Sequence, residues 1–162
     1  MKDLKDLMLG SPRLSLGIAE SLTCGHVQAR VGAISGSSEF FRGGITAYTV
    51  DQKVKHLGVN RAAAQRVYAV SVEIAAQMAR GACALFDSDL GIATTGYSEP
   101  APKKGIEEPF AWWALVHVRR RRTVMLRTGR VECPGEARLH VQAIVADAIL
   151  AELTGYLREL RG

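Results

Sequence analysis

The segment Leu14-Ser15-Leu16-Gly17-Ile18-Ala19-Glu20-Ser21 decides the fold of this chain, because it is an apolar run that stops at a serine where a helix has to begin. The run predicts a buried strand, and the small residues of Leu22–His26 predict a tight turn into a helix that extends to about Val31. The N–H groups of a first helical turn have no partner within the helix and can face an anion. We therefore expect Ser21 to lie exposed at this junction as a candidate nucleophile, although a serine there can also simply cap the helix.

Apolar strand-like segments alternate with amphipathic helical ones along the rest of the chain. Strands are predicted at 44–49, 89–96, 110–118 and 122–129, and helices at 1–9, 24–31, 50–58, from 60 through the alanines at 62–64, 72–86 and 135–160. Thr49, Asn60 and Ser71 are the expected N-caps of three of these helices. The order predicts an α/β protein, namely a single-domain three-layer α/β/α sandwich over residues 1–162 with a mixed, mainly parallel sheet of about five strands.

Composition limits the classes of partner. No run approaches the roughly 18 apolar residues of a membrane span, and the acidic residues in the first nine positions do not fit a signal peptide. The formal charge of +5 suits an anionic partner, and Arg119–Arg122 is the densest positive run. We interpret this run as a solvated hairpin turn, because Trp112 and Trp113 lie upstream in a strand segment rather than among the charges. Neither a membrane nor a nucleic acid is therefore an expected partner.

The cysteines and histidines match no metal-ligand spacing. Cys24, Cys83 and Cys133 are an odd number without a C-x-x-C pair, so we expect no disulfide framework and no metal site, as is usual in a reducing cytoplasm. Cys24 supports one rival hypothesis, since a thiol at the start of a helix can act as a nucleophile or a redox target.

The motifs that follow Ser21 carry a resemblance to a known family. They are Gly36-Ser37-Ser38-Glu39-Phe40-Phe41-Arg42-Gly43-Gly44, Ala47-Tyr48, Asp51-Gln52-Lys53 and Leu57-Gly58-Val59. The chain resembles the C-terminal domain of CinA (competence/damage-inducible protein A) and the nicotinamide-nucleotide amidohydrolases. The serine of the family's A-E-S motif falls on Ser21, the tyrosine of A-Y-S on Tyr48 and the lysine of N-E-A-K on Lys53, with no gap between them.

The resemblance implies hydrolysis of the amide of nicotinamide mononucleotide to nicotinate mononucleotide and ammonia, without a metal or cofactor. A small nucleotide-like amide is thus the expected substrate, and Ser21 would form the acyl-enzyme. We expect Lys53, with a lowered pKa, to act as general base and Tyr48 to relay the proton or donate to the oxyanion. Lys53 could instead be a solvated helical lysine, and Tyr48 a half-buried strand tyrosine.

Candidate substrate-binding residues lie beside these three or in small-residue loops, and Arg138, where the family's late G-D-R-x-x-V-R signature is missing, is expected as a displaced phosphate contact. The candidates are Glu20, Thr23, Gly25, Gly36, Ser37, Ser38, Thr95, Gly96 and Arg138. The backbone of the turn after Ser21, or the loop at 36–38, would hold the oxyanion or the substrate phosphate. Ser37 and Ser38 could equally be ordinary loop or capping residues.

Two departures from the family pattern leave the substrate open. Cys24 replaces the first glycine of A-E-S-C-T-G-G, which puts a Cβ where a positive φ or a close approach can be needed. The glycine-rich T-G-I-A-G-P-x-G-G loop becomes Thr95–Pro102, with Glu99 where an anionic nucleotide would be repelled. Another small amide, or a catalytically silent ligand-binding or interaction domain, therefore stays open. Apolar faces on the first and last helices predict self-association, with a homodimer as the expected form.

Overall fold

The sheet places the predicted nucleophile at the centre of the molecule. A computed structural model describes residues 3–162 of the chain. The five strands are β1 (Leu16–Glu20), β2 (Phe41–Thr46), β3 (Leu90–Tyr97), β4 (Phe110–Arg119) and β5 (Arg122–Glu132). They lie in the order β2-β1-β3-β4-β5. β1 pairs in parallel with β2 and β3, whereas β3–β4 and β4–β5 are antiparallel, so only β4 runs against the other strands.

Helices cover both faces of the sheet. They are α1 (Leu4–Leu9), α2 (His26–Gly32), α3 (Val50–Leu57), α4 (Arg61–Arg66), α5 (Val72–Phe86) and α6 (Arg138–Arg161). α1, α2 and α6 pack on one face, and α3, α4 and α5 on the other. The predicted α/β sandwich with a mixed sheet is confirmed. The first two residues of the helix predicted at 1–9 lie outside the described residues.

Three of the helix starts are fixed by the side chains predicted to cap them. Thr49 accepts from the N–H of Gln52, Asn60 from that of Ala63, and Ser71 from that of Ile74. Each bond satisfies a donor that has no partner inside the helix. The caps therefore set where α3, α4 and α5 begin, and α3 carries Lys53.

Alternation along β1 explains why this strand lies in the middle. Leu16 and Ile18 are buried towards α1, α2 and α6, whereas Ala19 is buried towards α5. Gly17 shares the face of Ala19, and a Cβ there would lie 2.9 Å from the carbonyl oxygen of Ala82. α5 thus packs directly on the backbone of the strand, which a larger residue would prevent.

Several boundaries and faces differ from the sequence-based predictions. β2 begins and ends three residues earlier than predicted, so Tyr48 lies beyond the strand. The amphipathic pattern of α5 would bury Leu85, but this residue is 45% exposed. The apolar face of α1 is not free for a partner, because Leu4 and Met8 are completely buried in the core beneath α6. On α6, Leu139 is 71% exposed, and self-association stays a prediction.

The arginine run forms the predicted hairpin turn between β4 and β5. Arg119 pairs with Arg122, and the two arginines between them have positive φ, 49° at Arg120 and 62° at Arg121.

In the described part of the chain, no helix is long and apolar enough to span a bilayer.

Candidate functional site

The carboxyl ends of the parallel strands β1, β2 and β3 lie at the same end of the sheet. Ser21 directly follows β1 and therefore lies between the ends of β2 and β3. The N–H of Ser21 donates to the carbonyl of Thr94, with 3.1 Å between nitrogen and oxygen. The N–H of Ala47 donates to the carbonyl of Glu20 at 2.9 Å. These backbone bonds fix Ser21 without using its hydroxyl group.

The hydroxyl group of Ser21 is not a helix cap. α2 begins at His26 with Gly25 as its N-cap, four residues beyond Ser21. Ser21 is also buried, at 5% exposure, which corrects the expectation of an exposed side chain. Within residues 3–162 its Oγ takes part in no hydrogen bond with another residue. The hydroxyl is therefore free to act on a bound molecule.

The start of α2 is closed by the carboxylate of Glu20. This side chain is fully buried and accepts hydrogen bonds from the N–H groups of Gly25, Val27 and Gln28, at 3.0, 3.2 and 2.9 Å. Glu20 and the N–H of Gly25 are thus engaged inside the protein, although both were predicted to bind substrate. The expectation that the first turn of α2 offers free donors to an anion is wrong, because a carboxylate already occupies them.

Two backbone donors remain directly after Ser21. Among residues 3–162, the N–H groups of Leu22 and Thr23 have no acceptor. The side chain of Thr23 is fully buried, and its Oγ1 lies 2.7 Å from that of Thr94. The hydroxyl group of Thr23 is thus engaged inside the protein, whereas its backbone N–H is without an acceptor in the described residues. A backbone N–H next to a nucleophile is a common oxyanion donor in hydrolases.

Lys53 is a buried amine with an unusual environment. Its Nζ donates to Oγ1 of Thr95 at 3.3 Å, and that hydroxyl donates to the carbonyl of Ala69 at 2.7 Å. Lys53 follows β2 while Thr95 lies on β3, so this bond reaches across the end of β1, where Ser21 is. Burial lowers the pKa of Lys53 to about 8 from its ordinary 10.5. Since its side chain is only 3% exposed, the alternative of a solvated lysine is wrong.

Tyr48 belongs to a polar group at the rim of the site. Its ring is 49% exposed, and its OH accepts a hydrogen bond from Nη2 of Arg138 at 2.8 Å. Nη1 of Arg138 donates to Oε1 of Glu99 at 2.6 Å. Tyr48 is thus oriented by the first residue of α6, and its own O–H is left to donate. Glu99 partly neutralises the arginine that was expected to contact an anionic group.

The remaining predicted residues lie in two different places. Gly96 is near the end of β3, where a Cβ would lie 2.3 Å from the carbonyl oxygen of Phe110, so a glycine is needed for packing. Gly36, Ser37 and Ser38 precede β2 and lie at its amino end, where Lys5 would contact a Cβ at Gly36. Within one chain, the structure does not bring this loop to Ser21.

Two neighbours of the site were missed by the sequence analysis. Thr94 holds both the backbone of Ser21 and the hydroxyl of Thr23, and Glu99 holds Arg138. The signal for Thr94 was the alternation of side chains along a strand, which turns Thr94 and Thr95 to opposite faces of the sheet. Glu99 was noticed only as a charge that repels anions.

Other reactive side chains provide no second centre here. Among the described residues, no group of three or more His, Cys, Asp or Glu side chains could hold a metal ion. Cys83 and Cys133 are buried, and burial raises the pKa of Cys83 to about 11. Cys24 is exposed and adopts a positive φ of 48° in the turn after Ser21.

Comparisons with known proteins agree with this architecture. A CinA-like protein of Chlorobium limicola is 32% identical over 157 residues, which are 96% of this chain and 36% of that protein. A CinA-like protein of Picosynechococcus is 46% identical over 93 residues, or 57% of this chain and 22% of that protein. The chain therefore spans only about a fifth to a third of the length of the curated relatives that it matches.

A solved structure shares the whole fold. The crystal structure of a competence-damaged protein (CinA) superfamily protein from Escherichia coli has a TM-score of 0.81 at 29% identity, covering 94% of this chain and 86% of that one. The sequence model described as the CinA C-terminal domain matches residues 2–157. Because this match extends over nearly the whole chain, the chain belongs to the CinA C-terminal domain family.

Proposed function

We propose that this chain hydrolyses the amide of nicotinamide mononucleotide, giving nicotinate mononucleotide and ammonia, with Ser21 as nucleophile and Lys53 as general base. One observation carries the proposal. A buried lysine with a pKa near 8 reaches across the end of the strand that presents an unbonded serine hydroxyl. Serine–lysine catalysis requires this combination of a desolvated amine and an uncommitted hydroxyl.

The acylation step follows from the donors around Ser21. Neutral Lys53 gives one N–H to Thr95 and has a lone pair for the proton of the Ser21 hydroxyl. Ser21 Oγ then forms a bond to the amide carbon, and the C=O electron pair moves to its oxygen. In this proposal the unpaired N–H groups of Leu22 and Thr23 bind the oxyanion, because such donors usually supply the largest stabilisation in acyl transfer.

The cycle closes by proton return and hydrolysis. The protonated Lys53 transfers its proton to the amide nitrogen, and the C–N bond breaks. Ammonia leaves, and the acyl group remains on Ser21 as an ester. Water then attacks the ester while Lys53 takes one of its protons, and that proton returns to Ser21 Oγ as the carboxylic acid departs. In solution the acid gives its proton to ammonia, so the products are the carboxylate and ammonium. Each turnover consumes one amide and one water, and Lys53 ends in the form in which it began.

The polar group at the rim, formed by Tyr48, Arg138 and Glu99, influences whether a phosphorylated substrate can bind. Tyr48 has its O–H free to donate, whereas Arg138 is shared between Tyr48 and Glu99. A substrate phosphate would compete with Glu99 for Arg138. This contact favours, as a second candidate, an amide without a phosphate group, because such a molecule would leave the Arg138–Glu99 pair intact.

The test measures ammonia released from nicotinamide mononucleotide and from nicotinamide riboside, which lacks the phosphate. We expect wild type to prefer the mononucleotide and Ser21→Ala to lose at least about a thousandfold in kcat, as removing a nucleophile typically does. Ser35→Ala replaces an exposed serine and is the matched control. Chelation of metals by EDTA should leave the rate unchanged.

The outcomes separate the candidates. Preference for the riboside would transfer the proposal to the second candidate. Equal rates for wild type and Ser21→Ala, with both proteins folded, would remove Ser21 as the nucleophile. If no amide releases ammonia, the hydrolase proposal is excluded and the chain is a catalytically silent binding domain.

A further inference from the structure

A cleft of about 730 Å³ lies at the amino ends of the central strands, at the opposite end of the sheet from Ser21. Ser15, Ser88 and Asp89, which precede β1 and β3, line it together with the turn between β4 and β5. This volume is within the range of sites for small organic molecules. No residue in its lining takes part in the site at Ser21.

Four arginines from three elements line this cleft, which is called the arginine cleft below. They are Arg42 of β2, Arg80 of α5, and Arg120 and Arg121 of the turn between β4 and β5. In the described range 3–162, none of the four forms a salt bridge. Arg80 is oriented by a neutral partner, because its Nε donates to Oγ1 of Thr123 at 3.4 Å. The cleft thus holds positive charge without paired carboxylates.

The backbone of the turn is strained where the arginines are. Two-residue hairpin turns with positive φ at both central positions strongly prefer Asn-Gly. Here the two positions are Arg120 and Arg121, whose Cβ atoms disfavour the φ values of 49° and 62°. Strained residues of this kind cluster at active sites and ligand-binding sites. The turn keeps two arginines although other residues would form it more easily.

The charges in the lining define the ligand. Two carboxylates also line the cleft, Asp87 and Asp89, and four arginines against two aspartates leave two positive charges. Asp89 is already engaged, since its Oδ2 accepts from the N–H and the hydroxyl of Ser15 at 2.8 and 2.6 Å. Two charges match a phosphate monoester, which carries about −1.5 to −2 at neutral pH. Among residues 3–162, the lining contains no aromatic side chain on which the bases of single-stranded nucleic acid could stack.

We infer that the arginine cleft binds a phosphorylated small molecule through its phosphomonoester group. The arginines hold the phosphate oxygens, as guanidinium groups do elsewhere. The volume left beyond the phosphate accommodates the organic part. This inference does not rest on the proposed amidase activity.

The test uses calorimetry with ribose 5-phosphate and inorganic phosphate as probes and ribose as the uncharged control. In the variant Arg120→Asn/Arg121→Gly, two cations are removed while the turn receives its preferred sequence. We expect this variant to fold, with a Tm no lower than that of wild type, and to bind ribose 5-phosphate at least about tenfold more weakly. Ribose should not bind.

Two further variants separate the cleft from general charge effects and from the site at Ser21. Lys55→Gln/Arg66→Gln removes the same charge from exposed positions outside the cleft lining and should bind the probe like wild type. Arg138→Gln should also keep this affinity. Loss of binding in either control, unchanged binding in Arg120→Asn/Arg121→Gly, no binding by wild type, or tighter binding of single-stranded RNA than of ribose 5-phosphate would overturn the inference.

Discussion

At the scale of single residues, the buried amine of Lys53 lowers the stability of the fold, although the proposed activity requires it. Its amine is mostly charged at pH 7, although burial has lowered its pKa from 10.5 to about 8. That shift corresponds to roughly 3 kcal/mol of destabilisation while the group is protonated. We expect Lys53→Met to be inactive and yet to unfold at a higher urea concentration than wild type at pH 7.

The sign of the pH dependence provides the check on Lys53. Between about pH 8 and 10.5 the unfolded chain binds the proton that the folded chain has released, so wild-type stability rises across this window relative to Lys53→Met. Urea denaturation at pH 7 and pH 10 measures the difference. A stability gap of the same size at both values would show that the lysine is not desolvated.

Cys24 is a second residue that lowers stability, in this case through its backbone conformation. Its φ of 48° is disfavoured for a side chain with a Cβ and would be adopted without strain by glycine. We expect Cys24→Gly to raise the free energy of unfolding by up to about 1 kcal/mol. Thermal unfolding measures this, with Cys24→Ala as the matched control that keeps the Cβ. A gain of the same size in both variants would assign the effect to the thiol rather than to φ.

At the scale of elements, α2 depends on a carboxylate that precedes it by six residues. Glu20 accepts from three N–H groups of its first turn, and Gln at this position would lose the charge and turn one acceptor into a donor. We expect Glu20→Gln to lower the free energy of unfolding by roughly 1–3 kcal/mol. Urea denaturation measures the change, and Glu39→Gln, at an exposed salt-bridged carboxylate, should cost much less. Equal costs would contradict the capping role.

Elements were predictable where a local signal sets them. The caps at Thr49, Asn60 and Ser71 act within one turn, so the sequence indicates them directly. The role of Glu20 depends on the chain folding back after Ser21, and no local pattern marks it. The loop at Gly36–Ser38 was misplaced for a reason that topology supplies. In a right-handed crossover, the loop that precedes the second parallel strand lies at the amino end of the sheet, away from the end of the first strand.

At the scale of the whole molecule, a buried histidine connects the sheet to the last helix. Nδ1 of His117 on β4 lies 2.6 Å from the OH of Tyr156 on α6, and Nε2 has no partner among the described residues. Burial, followed by the charge of Arg119, lowers the pKa of His117 below its ordinary 6.5. The unfolded chain therefore takes up a proton first, and stability falls as the pH drops below 6.5.

His117→Gln tests this contribution to acid unfolding. We expect the variant to lose less stability than wild type between pH 6.5 and 5, because a glutamine does not titrate. Tyr156→Phe removes the hydroxyl but keeps the histidine, and it should retain the steep wild-type slope. Thermal unfolding across this pH range measures both, and identical slopes in all three proteins would remove His117 as the source.

The order of the strands has a consequence for the warmed protein. β1 and β3, which hold Ser21, are central strands buried on both faces, whereas β2 is an edge strand and α3 follows it. Local opening begins where few contacts must be broken, so amide hydrogens of β2 and α3 should exchange with solvent before those of β1. Lys53, the proposed base, would therefore move away from Ser21, the proposed nucleophile, while β1 and β3 are still paired. Heat inactivation of such an enzyme would be reversible well below its melting temperature, and residual activity would not measure the folded fraction.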